Sequence, residues 1–86
     1  MKKRRVVVTG LGVISPVGND IATFWNSLVE GKSGIRPIER FDVTGYPTRI
    51  AAQVLDFNPA DYMNRKESRR MDRFVQYACA ASRMAL

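Results

Sequence analysis

The stretch Val6–Asn19, VVVTGLGVISPVGN, decides how the rest of this chain is read. Val6, Val7 and Val8 are β-branched and apolar without alternation, the pattern of a central parallel strand covered on both faces. Gly10 and Gly12 then end it. A strand running into G-x-G could open a dinucleotide-binding unit, but that unit needs G-x-G-x-x-G to turn tightly, approach the pyrophosphate and pack the following helix. Here the third position is Ser15, and Pro16 after it removes an N–H where a phosphate loop would use one. No acidic residue closes a second strand at βαβ spacing; the next candidate strand ends near Asp56. The glycines are therefore structural: they let the chain leave a buried strand sharply and pass close to neighbouring backbone.

Beyond that stretch, Asn19 or Asp20 can cap a helix whose apolar residues Ile21, Phe24, Trp25, Leu28 and Val29 share the spacing of one buried face. Phe24 and Trp25 are expected as core anchors beneath it. Gly31 stops it. Lys32 to Arg49 holds Gly34, Pro37, Gly45 and Pro47 and shows neither period, so a long irregular excursion is expected there. Ile50 to Leu55, IAAQVL, predicts a second strand, and Asn58-Pro59 begins a short helical turn. From about Lys66 to Leu86 one long helix is predicted, with Met71, Phe74, Val75, Ala78, Ala85 and Leu86 as its apolar stripe, Cys79 at the edge and Ser82 inside it. Its small side chains admit a close second backbone. There is no internal repeat.

The chain has 86 residues, so it holds at most one domain, and one this small buries only roughly 60% of its unfolded surface. A single cysteine and no histidine leave no disulfide and no zinc ligand set. Lys2 to Arg5 followed by valines imitate the start of a secretory signal, but Thr9, Gly10 and Gly12 interrupt the apolar run and no small-x-small site follows. A cytoplasmic protein is expected. No apolar stretch approaches the ~18 to 20 residues of a membrane span. A strand covered on both faces needs neighbours on both edges, yet one other strand is visible, and the helical pattern runs to Leu86 without a stop. Residues 1–86 are thus expected to be the opening segment of a larger α/β domain, with no complete domain of their own.

Fourteen Lys and Arg against eight Asp and Glu give a net charge of +6, which favours acidic partners. Four cations fall at positions 2 to 5 and five between Arg65 and Arg73. A solvated charged face is the plain alternative to a binding surface.

As a set, RRVVVTGLGVISPVGN at 4–19, EGKSGI at 30–35, Phe41-Asp42 and RKESRRMDRFVQYA at 65–78 resemble the amino terminus of the β-ketoacyl-[acyl carrier protein] synthases, the condensing enzymes of bacterial fatty-acid synthesis. The arginine-rich RKESRRMDRF run leans towards the type II elongation enzymes; polyketide ketosynthases are close cousins. The resemblance spans essentially the whole chain. It implies an α/β fold, the N-terminal part of a thiolase-like architecture of alternating helix and sheet layers (αβαβα), incomplete in this chain, with the whole enzyme a homodimer. It also implies a decarboxylative Claisen condensation: an acyl group passes to a cysteine, malonyl-carrier protein loses carbon dioxide, and the carbanion attacks the thioester. Two histidines and backbone amides support these steps, without metal or organic cofactor.

No catalytic residue is expected within these 86 residues. Cys79 lies mid-helix between Ala78 and Ala80, where a thiol fills space, whereas a reactive thiolate wants a helix start or a neighbouring cation or base. Ser15 and Ser33 have no base nearby in sequence and are expected to satisfy loop backbone. What the resemblance does place here is recognition of the acidic acyl carrier protein, with Lys66, Arg69 and Arg70 as docking residues and Arg65 and Arg73 as weaker candidates. On one continuous helix, Lys66, Arg69, Arg70 and Arg73 would share about a quarter to a third of the circumference, opposite Met71, Phe74, Val75 and Ala78. Glu67 and Asp72 could instead pair with some of them. The Met1 to Arg5 cluster has no such role. Two other classes remain: a small basic module for nucleic acid or an acidic protein, for which no aromatic stacking row or groove-reading motif is present, and a nucleotide-binding fragment.

Overall fold

The structure, a computed structural model, describes residues 3–86. Helix α1, Ile21–Glu30, begins where expected because Asp20 is extended and its Oδ1 accepts the Thr23 amide at 2.8 Å, while Oδ2 accepts the Thr23 hydroxyl at 2.9 Å. It ends at Gly31, whose φ of 71° lets Gly31 and Lys32 donate back to Leu28 and Ser27. The residue α1 turns inward is Ser27, whose hydroxyl donates to the Val17 carbonyl at 2.7 Å. Phe24 is half-buried and Trp25 is 62% exposed, so the pair is not the core anchor expected. Of that apolar row, Trp25, Leu28 and Val29 are at least half exposed.

Strand β1, Ile35–Pro37, pairs antiparallel with β2, Ile50–Ala52, in the register Ile35 to Ala52 and Pro37 to Ile50. The Ile38 amide extends the ladder to the Arg49 carbonyl at 2.9 Å. β1 lies inside the segment expected to be irregular: three residues are too few to show a period, and the partner strand creates the element. The second strand is correspondingly shorter than the predicted Ile50 to Leu55. A 3₁₀ turn at Pro59–Asp61 follows, with Asn58 Oδ1 accepting the Ala60 amide at 3.1 Å and proline at the first position, as its sequence predicts.

The single long helix is two: α2, Arg65–Arg69, and α3, Arg73–Ala85. The amides of Arg70 and Met71 reach back only three residues, to Glu67 and Ser68, which tightens and ends α2. Asp72 then turns extended, and its carbonyl accepts from Val75 and Gln76 to start α3. The predicted apolar stripe is met only in part. Val75 and Ala85 are half-buried, but Met71 is outside both helices, Phe74 is 71% exposed and Ala78 and Leu86 are exposed, whereas Ala80 is fully buried and Gln76, Tyr77, Ala81 and Met84 are half-buried. Close approach of the amino-terminal segment decides which side faces in. A Cβ on Gly10 would overlap the Ala85 carbonyl, and one on Gly12 the Ala81 carbonyl, so the expectation that these glycines admit neighbouring backbone holds.

Val6, Val7 and Val8 are not a buried strand: they belong to no ladder and are 92%, 64% and 77% exposed. A strand needs partner amides and carbonyls along its edges, and the described residues offer it none. No described helix is long and apolar enough to cross a membrane.

Candidate functional site

The segment Asn64 to Arg73 is built around α2. Asn64 starts it by accepting the Glu67 amide on Oδ1 at 2.8 Å, directly after Met63, one of the few buried apolar side chains. Residues four apart lie on one line of a helix, so Arg65 and Arg69 form one line and Lys66 and Arg70 the next. Each line borders a concavity. Arg65, Ser68 and Arg69 face Asn58, Pro59 and Ala60 across an open cleft of about 450 Å³, and Lys66 and Arg70 share one of about 240 Å³ with Asn64 and Glu67. Arg65 and Arg69 therefore border the same cleft.

Arg65, Lys66, Arg69, Arg70 and Arg73 are all exposed. The ion pair formed within 4.0 Å among the described residues is Lys32–Glu30, at 3.1 Å, so neither Glu67 nor Asp72 is in direct ion-pair contact with a neighbouring cation. Five cations against these two carboxylates leave a net positive patch, which attracts polyanionic or acidic surfaces over about a Debye length.

Arg73 stands apart from the other four. It opens α3 beyond the break, so the single-helix geometry expected for Lys66, Arg69, Arg70 and Arg73 does not hold. Its Nη1 donates to the Tyr77 hydroxyl at 3.5 Å, which Arg40 also reaches at 3.5 Å while donating to the Val54 carbonyl at 3.0 Å. Burial pushes the Tyr77 pKa up, but hydrogen bonds from Arg40 and Arg73 and their charges outweigh it and hold the phenol below its ordinary value. The Tyr77 ring meets Phe57 edge-on at 4.9 Å, and Phe57 stacks on Tyr62 at 5.7 Å, tying α3 to the 3₁₀ turn that walls the larger cleft.

Two features of the surface escape sequence reasoning. The wall at Asn58 to Ala60 is legible as a turn, but nothing local says that it faces α2. Gln76 reads as one polar residue in an amphipathic helix, yet its Nε2 donates to the Ser68 carbonyl at 2.8 Å. Cys79 is half-buried in the middle of α3, with no histidine anywhere in the chain to act as its base. Among the described residues no group of three His, Cys, Asp or Glu side chains gathers as a metal site would require.

The chain is similar to known proteins over almost its whole length. Residues 3–86 match the family described as "Beta-ketoacyl synthase, N-terminal domain". The 3-oxoacyl-[acyl-carrier-protein] synthase 2 of Coxiella burnetii is 53% identical over 85 residues, covering 99% of this chain and 20% of that protein. The protein of the same name from Vibrio harveyi is 54% identical over 86 residues, covering 100% of this chain and 21% of its own length. Among solved structures, the ishigamide ketosynthase/chain length factor superposes with a TM-score of 0.87 at 44% identity, over 98% of this chain and 21% of that one. The chain thus spans about a fifth of the length of these relatives, and its fold is a small α/β unit matching the amino-terminal portion of a thiolase-like ketosynthase.

Proposed function

The chain belongs to the β-ketoacyl synthase family, and on that premise we propose that it is the amino-terminal portion of a condensing enzyme that elongates acyl chains held on an acyl carrier protein. Its own contribution is scaffold and docking; the cysteine nucleophile and the histidines of the reaction belong to other parts of the enzyme. The observation that carries the docking role is the row of exposed cations on α2 and its C-cap, Lys66, Arg69 and Arg70 with Arg65 beside them, none within 4.0 Å of a carboxylate among the described residues. An acidic helix of the carrier complements such a row. Charges at the rim of an interface chiefly speed encounter and fix register, and salt screens them.

Relatives named 3-oxoacyl-[acyl-carrier-protein] synthase 2 at 45% to 54% identity support the fatty-acid reading, and the ketosynthase/chain length factor at 44% keeps a polyketide ketosynthase as the second reading. The test is charge reversal at Lys66, Arg69 and Arg70 in the full-length enzyme carrying this sequence. Turnover of carrier-borne substrate should fall at least about tenfold in kcat/KM, the scale of lost steering. Self-acylation from a small thioester should stay near its starting rate. Equal loss of both activities overturns the docking role.

A further inference from the structure

Resting on that docking role, we propose that Gln76 is the positioning residue that sets the direction in which the α2 cations point. α2 has five residues and buries none of them. A helix so short does not hold its shape in water by its own hydrogen bonds, because the cost of the first turn is spread over too few residues. It has to be held at both ends from outside. Asn64 holds the first end. At the other, the last carbonyls of a helix have no partner within it; the Ser68 carbonyl accepts the Met71 amide at 3.2 Å, and the half-buried Gln76 adds a second, shorter bond from α3: its Nε2 donates to that carbonyl at 2.8 Å and reaches the Met71 carbonyl at 3.5 Å.

Arg69 and Arg70 follow Ser68 directly, so fixing that carbonyl fixes the backbone that launches both side chains. The anchor is itself fixed, since Ala80, one turn further along α3, is fully buried. Gln76 thus carries the position of α3 across the Arg70–Asp72 break to α2. An apolar side chain of the same length would serve α3 equally well but could not donate, which makes the amide the informative group.

The experiment uses the full-length enzyme, with Gln76→Met, isosteric and without a donor, and Gln76→Glu, which at neutral pH also cannot donate. Both should raise KM for carrier-borne substrate about fivefold, the scale of one net hydrogen bond, with kcat at saturating carrier and turnover of a small thioester unchanged. In a background where Lys66, Arg69 and Arg70 are alanine, the same Gln76 substitutions should have no further effect. The inference is overturned if KM does not move, if small-thioester turnover falls in parallel, if the effect persists in the alanine background, or if both variants lose their melting transition. The docking role fails separately: there the alanine background itself leaves carrier KM unchanged.

Discussion

Two residues near the start of the chain allow sharp tests. At Gly12 an added methyl group would be driven into the Ala81 carbonyl and to within 3.0 Å of the Met84 Cβ. The obstacle on one side is helix backbone, which cannot swing away, so Gly12→Ala should destabilise by about 1 to 3 kcal/mol, the usual range for overpacking, read as a fall in the melting temperature of the full-length enzyme. The sequence did carry this signal, because a glycine pair after an apolar run marks close approach when a phosphate loop fails its other requirements. Asp20 is a case of a different kind. Hydrogen bonds from the Thr23 amide and then its hydroxyl hold the Asp20 carboxyl below the ordinary range. A group with a lowered folded-state pKa stabilises fully above its unfolded value of about 3.9 and loses that contribution as pH falls through the folded value. Acidification should therefore fray the first turn of α1, seen as faster amide exchange at Thr23. Asp20→Asn, which caps without titrating, should flatten that response, and an unchanged acid response in this variant would dissociate the fraying from Asp20.

At the level of elements, capping decided which sequence expectations held. α1 and the 3₁₀ turn are bracketed by residues that act locally, Asp20, Gly31, Asn58 and Pro59, and both were legible. The α2–α3 break was not, because RKESRRMDRF keeps a helical spacing of apolar residues through it and Asp72 looks like one more exposed charge. Asp72 is an extended N-cap residue but its side chain makes no capping bond, whereas Asn64 accepts the Glu67 amide at 2.8 Å. The two caps should behave differently. Asn64→Ala should cost about 1 kcal/mol and speed amide exchange at Glu67, while Asp72→Ala should leave exchange at Val75 nearly unchanged, its backbone carbonyl being the acceptor there. Equal effects at the two sites would mean that α2 is held by something other than its cap. The proposed docking residues show the same division between local and distant signal. The identity of Lys66, Arg69 and Arg70 was available in the motif, but their arrangement as two lines over two clefts depends on where α2 stops and on the distant wall at Asn58 to Ala60.

Taken whole, the molecule is more open than its length requires. Its radius of gyration is 16.7 Å, against roughly 12 Å for a compact domain of this size. The apolar side chains buried among the described residues are Met63 and Ala80. Val6 to Val8, Trp25, Leu28, Val29 and Phe74 are exposed, and an apolar cleft of about 450 Å³ opens between Leu11, Gly12 and Val13 and the α1 residues Ile21, Phe24 and Trp25. An exposed β-branched run with free amides and carbonyls is a strand without a sheet, and such edges recruit partners. The pattern that predicted a doubly covered strand at Val6 to Val8 is thus real in composition and unfulfilled in contacts, because coverage is a property of neighbours that a local pattern can demand but not supply. In the proposed condensing enzyme, whose relatives are about five times as long, the neighbours would come from other parts of the enzyme. The amides of Val6, Val7 and Val8 should then exchange slowly in the full-length enzyme and rapidly in the 86-residue chain, which should also bind a hydrophobic dye and melt over a broad range. Equal protection of these amides in the two forms would mean that the valine run finds its ladder within this chain, and would remove the requirement for outside strands.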